Sequence, residues 1–160
     1  MLNVNHRLLA GGVYHGDRRW NKKATSLDQC FKYYHIRDGR AMLFSQRESF
    51  PLEKGNCYFI NGFKLDHQCC PVSFQVDWLH FIPESIFLKQ FLFKLPFVVK
   101  LSPQIPDHLQ DVFSSFLEYF NNASLLGKRK AADYYAVTLR IQSLLSATVA
   151  ELTEMFTGEL

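Results

Sequence analysis

The sequence is poor in the features that mark membrane, secreted or disulfide-stabilised proteins. No apolar run approaches the roughly 20 residues that a membrane span needs, and the N-terminal MLNVNHRLLAGG lacks the regions of a signal peptide. The four cysteines, Cys30, Cys57, Cys69 and Cys70, form no CxxC pair, which argues against a zinc site or a disulfide scaffold. These absences predict a cytoplasmic protein with free thiols and no membrane contact.

Charge of one sign is also scarce. The net charge is +3, and the densest basic cluster, Lys128 to Lys130, has three residues, too few to indicate nucleic-acid binding by this chain. Apolar residues, in contrast, are abundant: 48% of the chain is hydrophobic, and 15 of the 160 residues are Phe. The composition therefore predicts one packed globular unit rather than a disordered chain.

Residues 1–103 have the pattern of an antiparallel β sandwich or barrel. Runs rich in aromatic and β-branched residues recur about every ten residues, separated by turn signals. Turns are predicted at Asp38-Gly39, Lys54-Gly55-Asn56 and Asn61-Gly62. The predicted strands are GGVYHG, QCFKYYHIRDG, RAMLFSQ, ESFPLEKG, NCYFING, LDHQCC and SFQVDWLHFIP, followed by a short helix in PESIFLKQFLFKL and a strand in FVVKL.

Residues 104–160 change to a helical period. A first helix is predicted from about Asp107 to Phe120, and a second from about Lys128 to Phe156. Along the second helix, apolar residues recur in steps of three and four, a pattern that suits a partner helix in a second copy of the chain. The alternative is that the helices cover one open face of the β domain. The residues of this candidate dimer interface are Tyr134, Val137, Ile141, Leu144, Thr148 and Leu152.

Three segments carry a resemblance to a known family: YYHIRDGRAMLF, FPLEKGNCYFINGFKLDH and FQVDWLHFIPE, followed by two helices. Together they resemble the N-terminal effector-binding and dimerisation region of AraC-family transcriptional regulators, a cupin-type jelly-roll barrel with a helical appendix. The Trp-x-x-Phe-x-Pro strand of that family is matched at Trp78, Phe81 and Pro83, whereas its two turn motifs are half kept. The resemblance implies a barrel over residues 1–103 and a helical dimerisation hairpin over 104–160.

Enzymatic cupins bind a metal through a His-x-His pair, a Glu and a later His. When the first motif is placed to end at Gly39, its Glu position falls at Lys32. Its two His positions fall at Thr25 and Leu27, or at Ser26 and Asp28 in the shorter variant. None of these positions keeps a metal ligand, and His67 lies one residue from the later His position. We therefore expect no metal and no cofactor, because one misplaced imidazole cannot hold a transition metal.

The resemblance implies that a small-molecule effector, for example a sugar, enters the barrel. In the last long strand Trp78 and His80 share one face, opposite Leu79 and Phe81. If Leu79 and Phe81 pack under the helices, Trp78 and His80 point into the barrel, where an indole could stack on the effector. They could equally be ordinary core. Further candidate effector residues are Arg19, Trp20 and His67.

The expected function is thus that of a sensor and dimerisation domain rather than an enzyme. The chain ends at EMFTGEL without the helix-turn-helix units of the family, so we expect DNA binding only through a C-terminal domain missing here. One alternative is a metal-independent cupin-like enzyme acting on a carbohydrate-like substrate, with His67, His80, Asp66 and Asp77 as possible acid–base groups. Another is a purely structural interaction domain, which a filled barrel would favour.

Overall fold

The computed structural model describes residues 3–102 and 128–159 of the chain. The mainly β fold with a C-terminal helix is confirmed, while the first predicted helix, at 107–120, lies outside the described residues. The described strands are β1 His6–Asp17, β2 Asn21–Lys23, β3 Phe31–Ser45, β4 Glu48–Glu53, β5 Cys57–Asn61, β6 His67–Cys69, β7 Ser73–Pro83 and β8 Val98–Leu101. The described helices are α1 Ile86–Lys94 and α2 Lys128–Met155.

The strands form one antiparallel eight-stranded sheet that folds around the long strand β3. The first half of β3 pairs with β5 and β7, and its second half pairs with β4 and β6. The main path of the sheet is β1-β7-β3-β5-β8, and the short strand β2 pairs with β6. The sheet is open, since the path begins at β1 and ends at β8 in the described part of the chain. Its two halves face each other and enclose a barrel-like interior.

The turn predicted at Asp38-Gly39 is wrong, because β3 continues through these residues. The pairing of β3 with β7 shifts its register between Ile36 and Asp38, and Gly39 has a φ of +70°. A side chain at Gly39 would also meet backbone, since a Cβ there would lie 2.0 Å from the carbonyl oxygen of Ser73. The glycine therefore serves a bulge that bends one continuous strand, and not a hairpin. The turn predicted at Lys54-Gly55-Asn56 is confirmed, with Gly55 at a φ of +83°.

Alternating residues of the central strands feed two separate hydrophobic clusters. On β3, Phe31 and Tyr33 enter the outer cluster, which also contains α1 and α2 residues, whereas Tyr34 and Ile36 enter the inner cluster between the halves of the sheet. On β7, Leu79 and Phe81 belong to the outer cluster and Val76 to the inner one. Two apolar faces on the same strands explain why these segments read as almost continuously hydrophobic.

The apolar stripe of α2 is buried within its own chain. Ile141, Leu144 and Leu152 belong to the outer cluster with Leu79 and Phe81, and the side chain of Val137 is half-buried against it. Thr148 is also buried, and its hydroxyl donates to the carbonyl oxygen of Leu144. The side chain of Tyr134 lies outside the described residues. In the described residues the stripe covers a face of the sheet, as the alternative expects, while the seam for a second copy stays a prediction.

A polar clamp fixes α2 to the first strand. The side-chain amide of Gln142 donates to the carbonyl oxygen of His6 at 2.6 Å and accepts from the backbone N–H of His6 at 3.3 Å. The imidazole of His6 is buried with its edge against Phe81, and burial lowers its pKa despite the opposing effect of Glu84. In the described residues, neither α1 nor α2 is both long and apolar enough to cross a membrane. The predicted division of the chain at residue 103 stays a prediction.

Candidate ligand-binding site

A cavity of about 360 Å³ lies inside the folded sheet, on one face of β7. Side chains two apart on a strand share a face, and Phe74, Val76, Trp78 and His80 accordingly all line this cavity. The adjacent strand β3 adds Lys32 opposite His80 and Tyr34 opposite Trp78. The rest of the lining consists of Tyr14, Trp20, Lys22, Lys23, Thr25, Leu27, Asp28 and Gln68.

Lys32 is a buried ammonium at one end of the cavity. Its side chain is 1% exposed, and its Nζ lies 2.5 Å from Oδ1 of Asp28, whose side chain is 15% exposed. Burial by itself would lower the pKa of Lys32, but the neighbouring Tyr34 and Asp28 outweigh it, so the pKa is raised. The amine is therefore charged at neutral pH and is paired with a carboxylate, as a buried charge requires.

Asp28 is held by two donors. Besides the Lys32 ammonium, the backbone N–H of Thr25 donates to its Oδ2 at 2.9 Å, which closes a capping box around the short 3₁₀ turn Ser26–Asp28. Burial opposes ionisation of this carboxyl, but the hydrogen bonds from Lys32 and Thr25 prevail and lower its pKa. The pair thus joins the loop before β3 to the interior of the sheet.

His80 completes the polar end of the cavity as a neutral imidazole. Its Nε2 lies 3.3 Å from Nζ of Lys32. Burial and then the Lys32 charge lower the pKa of His80 to about 3. Because an ammonium can only donate, Nε2 must accept, so the ring proton sits on Nδ1. The imidazole is therefore a fixed polar group at neutral pH and not a proton carrier.

Aromatic rings make up most of the remaining wall. Trp20 packs on Phe74 with ring centroids 4.6 Å apart, and Trp78 packs on His80 at 4.7 Å. Tyr34 lies nearly parallel to His80 at 6.4 Å. Along β7 the lining changes from the aromatic pair at Phe74 to the polar cluster at His80. The cavity is thus amphipathic along its length.

Three of the five predicted effector residues come together in this cavity. Trp78 and His80 line it from β7, as the face argument anticipated, and Trp20 lines it from the loop before β2. Arg19 and His67 do not. The side chain of Arg19 is 91% exposed and forms an ion pair with Asp17. His67 forms a hydrogen bond with Asn21, and its ring contacts that of Phe44. Arg19 is adjacent to Trp20 in sequence and His67 is near the turn motif, but neither position determines where the side chain points.

Few of the polar lining residues were named as site residues from the sequence, although the positions of the metal motif pointed to several of them. Four of the five metal-motif positions, Thr25, Leu27, Asp28 and Lys32, line the cavity, whereas Ser26 does not. In the sequence, these positions were considered only as metal-ligand positions that no longer carry a ligand. Positions that face the interior of one barrel face the interior of a similar barrel whatever residue they carry. Lys22, Lys23, Gln68 and Tyr14 had no comparable signal.

The acid–base groups considered for an enzyme do not converge. Asp77 lies on the opposite face of β7, buried, where it accepts from Nδ1 of His35 at 3.0 Å and from Nε of Arg37 at 2.6 Å. Asp66 is exposed, and neither Asp66 nor the half-buried His67 lines the cavity. Within residues 3–102 and 128–159, no three His, Cys, Asp or Glu side chains are grouped to hold a metal ion.

Fold and site together define a small β domain with a covering helix and an internal amphipathic cavity. No protein-family model and no curated protein sequence matches the chain. Solved structures do match. ToxT from Vibrio cholerae, solved with an unsaturated fatty acid bound, has a TM-score of 0.50 at 11% identity over 97% of this chain and 58% of its own. This likeness confirms the fold expected from the AraC-family resemblance.

Two further solved structures are similar over shorter stretches or at lower scores. CuxR, an AraC-like transcriptional activator, has a TM-score of 0.44 at 16% identity and covers 87% of this chain and 49% of its own. YhaK from Escherichia coli has a TM-score of 0.47 at 11% identity and covers 64% of this chain and 45% of its own. The chain spans about half the length of these solved proteins.

Proposed function

We propose that this chain is the sensor portion of a cytoplasmic AraC-type transcriptional regulator and that it binds a small-molecule effector in the cavity beside β7. The observation that carries the proposal is the cavity of about 360 Å³, within the range of ligand pockets. It is lined by aromatic faces with a small cluster of polar groups at one end, as pockets for small molecules are. The fold shared with ToxT, which was solved with a bound fatty acid, supports the same function.

The proposed effector contacts are Trp20, Trp78 and His80 from the sequence, joined by Lys32 and Tyr34 from the structure. Arg19 and His67 are left out because neither borders the cavity. A sugar remains one possible effector, since an indole face and a fixed imidazole suit it. The amphipathic lining also suits a molecule with a larger apolar body.

Dimerisation and DNA binding through a further domain are part of the proposed function. Because Ile141, Leu144, Thr148 and Leu152 are buried within the chain, the proposed contact between copies extends to other residues. The same burial provides a route for signalling. α2 shares the outer cluster with Leu79 and Phe81 of β7, the strand whose other face carries Trp78 and His80. A ligand that moves β7 therefore acts on the helix through this cluster.

The two alternatives fit the site less well. An enzyme would need a proton carrier or a nucleophile, yet the lone pair of Nε2 in His80 faces an ammonium, and Lys32 is itself protonated. A structural interaction domain would have a filled interior, whereas this interior has room for about a dozen water molecules at roughly 30 Å³ each. The open cavity favours a sensor.

The intrinsic fluorescence of the protein provides a direct test. Both tryptophans of the chain, Trp20 and Trp78, line the cavity, so a bound molecule must change their emission. We expect a screen of non-fluorescent metabolites to give a saturable change together with a rise in unfolding midpoint. Trp78→Ala should weaken binding about tenfold or more, as loss of a buried aromatic contact does, whereas Arg19→Ala should leave it unchanged. A hit that is indifferent to Trp78→Ala would move the site elsewhere, and a screen without hits would contradict the proposal.

A further inference from the structure

Two opposite charges meet at the polar end of the cavity. The ammonium of Lys32 is fixed in the interior, whereas the carboxylate of Asp28 can rotate toward solvent. The ammonium of Lys32 is 1% exposed and extends from the central strand β3, so it cannot be solvated as a surface lysine is. The carboxylate of Asp28 is 15% exposed and belongs to the loop at the cavity edge. Rotation of Asp28 toward solvent would leave a buried cation without a partner, an arrangement that strongly favours a replacement anion.

The charges of the lining favour an anion as that replacement. Lys22, Lys23 and Lys32 line the cavity against the single carboxylate of Asp28, and His80 is neutral, which leaves a net charge of +2. Lys22 and Lys23 are exposed on β2, whereas Lys32 is buried. They attract a negatively charged molecule, and Lys32 can then anchor it.

The body of the ligand is indicated by the walls. Five aromatic side chains line the cavity, namely Tyr14, Trp20, Tyr34, Phe74 and Trp78, against two aliphatic ones, Leu27 and Val76. Aromatic walls favour a flat ring that can stack or meet them edge to face. The Trp20–Phe74 pair and the Lys32–His80 pair lie at different positions along the cavity. The first pair therefore contacts the apolar part of the ligand, and the second contacts its charged group.

We propose that the effector is an aryl carboxylate whose carboxylate replaces Asp28 as the partner of Lys32. The inference rests on the proposed function, because it names the chemical class of the molecule that the cavity binds. Asp28 then acts as an internal substitute for the ligand: its carboxylate occupies the ammonium while the cavity is empty. The ring lies among Trp20, Tyr34 and Trp78, and the imidazole of His80 lies beside the head group.

The two carboxylates compete for one ammonium, which distinguishes this arrangement from an ordinary cationic pocket. Asp28→Asn removes the competitor but keeps the shape and the hydrogen bond from the N–H of Thr25. It should therefore bind an aryl carboxylate about tenfold more tightly than the unaltered chain, the size of one charge-assisted hydrogen bond. Lys32→Met removes the anchor and should weaken binding about tenfold or more.

The experiment is titration calorimetry with 2-naphthoate, its neutral carboxamide, palmitoleate and xylose. We expect 2-naphthoate to bind, the carboxamide to bind at least about tenfold more weakly, and the other two probes to bind more weakly than 2-naphthoate. The double variant Asp28→Asn with Lys32→Met has no unpaired buried charge and should also lose the preference for the carboxylate. The control is Asp38→Asn, which removes a surface carboxylate paired with Lys54 and should change nothing.

The outcomes separate this inference from the proposed function. Equal binding of 2-naphthoate and its carboxamide, or weaker binding to Asp28→Asn, would overturn the exchange at Lys32. Lys32-dependent binding of palmitoleate without binding of 2-naphthoate would overturn the aryl class. If a ligand found by fluorescence screening binds but ignores both Asp28→Asn and Lys32→Met, the sensor function stands and this inference fails. If no molecule of any class binds, both fail.

Discussion

Nζ of Lys32 lies 3.3 Å from Nε2 of His80, and the two residues are directly opposite each other on β3 and β7. This pair connects the two central strands of the sheet through their side chains as well as through the backbone ladder. It also determines the state of both groups, since an ammonium and an imidazolium cannot share this position. His80 is therefore the member that stays neutral.

His80 should not titrate in the physiological range. Its pKa is lowered to about 3 by burial and by the Lys32 charge, so its ring resonances should be flat between pH 5 and 8 in proton–carbon NMR spectra. His80→Gln identifies the resonance by its disappearance. In Lys32→Met the pKa should rise, because the neighbouring charge is gone, yet stay below 6.5, because burial remains. A His80 signal that titrates near pH 6.5 in the unaltered protein would contradict the buried Lys32–His80 contact.

The same shift predicts how stability depends on pH. In the unfolded chain His80 takes up a proton below about pH 6.5, whereas in the folded chain it does so only near pH 3. The unfolded state therefore binds more protons between these values, and the free energy of unfolding should fall as pH is lowered from 6.5. One such group contributes up to about 1.4 kcal/mol per pH unit.

The measurement is urea unfolding at several pH values between 4.5 and 7.5. His80→Gln should reduce the slope in this window but not abolish it, because the pKa of His6 is also lowered and acts with the same sign. The window also stays above pH 3.8, the ordinary pKa of aspartates such as Asp17, whose pKa in the folded chain is lowered to about 2. An identical slope in the variant would show that His80 is not buried beside a cation.

Strand periodicity predicted the parts of this molecule that depend on local geometry. Trp78 and His80 reach the cavity, and Leu79 and Phe81 the outer cluster, because alternation along a strand is fixed by the backbone. The turn at Lys54-Gly55-Asn56 was equally local, because a glycine with a positive φ closes it. Lys32 could be predicted as a cavity residue only if the inward face of β3 were known. Lysine is also rarely buried in the interior of a protein.

Predictions failed or stayed open where the same local pattern serves different tertiary contacts. A stripe in steps of three and four, as at Ile141 and Leu144, suits a partner helix and a sheet equally well, so the helix pattern could not identify its partner. A glycine with a positive φ serves a hairpin turn or a bulge, and only the pairing of β3 with β7 decides for Gly39. Arg19 and His67 show that being near a motif does not place a side chain in its site.

The bulge at Gly39 should be among the positions of the sheet least tolerant of substitution. Gly39→Ala combines a positive φ with a Cβ that meets the backbone of Ser73 and Phe74. We expect a loss of about 3 kcal/mol or more in the free energy of unfolding, or failure to fold. The matched control is Gly55→Ala, where φ is also positive but no atom lies within 4 Å of the added Cβ. It should cost only about 1 kcal/mol. Similar losses in both variants would mean that backbone crowding at Gly39 is unimportant.

The inward face of α2 should matter for folding and its outward face should not. Leu145 is 0% exposed in the outer cluster, whereas Leu139, on the same helix, is 66% exposed. Leu145→Ala should lower the free energy of unfolding by about 2–5 kcal/mol, because it removes buried methyl groups and leaves a cavity. Leu139→Ala should change it by no more than about 0.5 kcal/mol. Urea denaturation followed by circular dichroism measures both, at several protein concentrations. If Leu145→Ala were as stable as Leu139→Ala, α2 would not be packed on the sheet. A midpoint for the unaltered chain that rises with protein concentration, with a smaller rise for Leu145→Ala, would instead place this face between two copies.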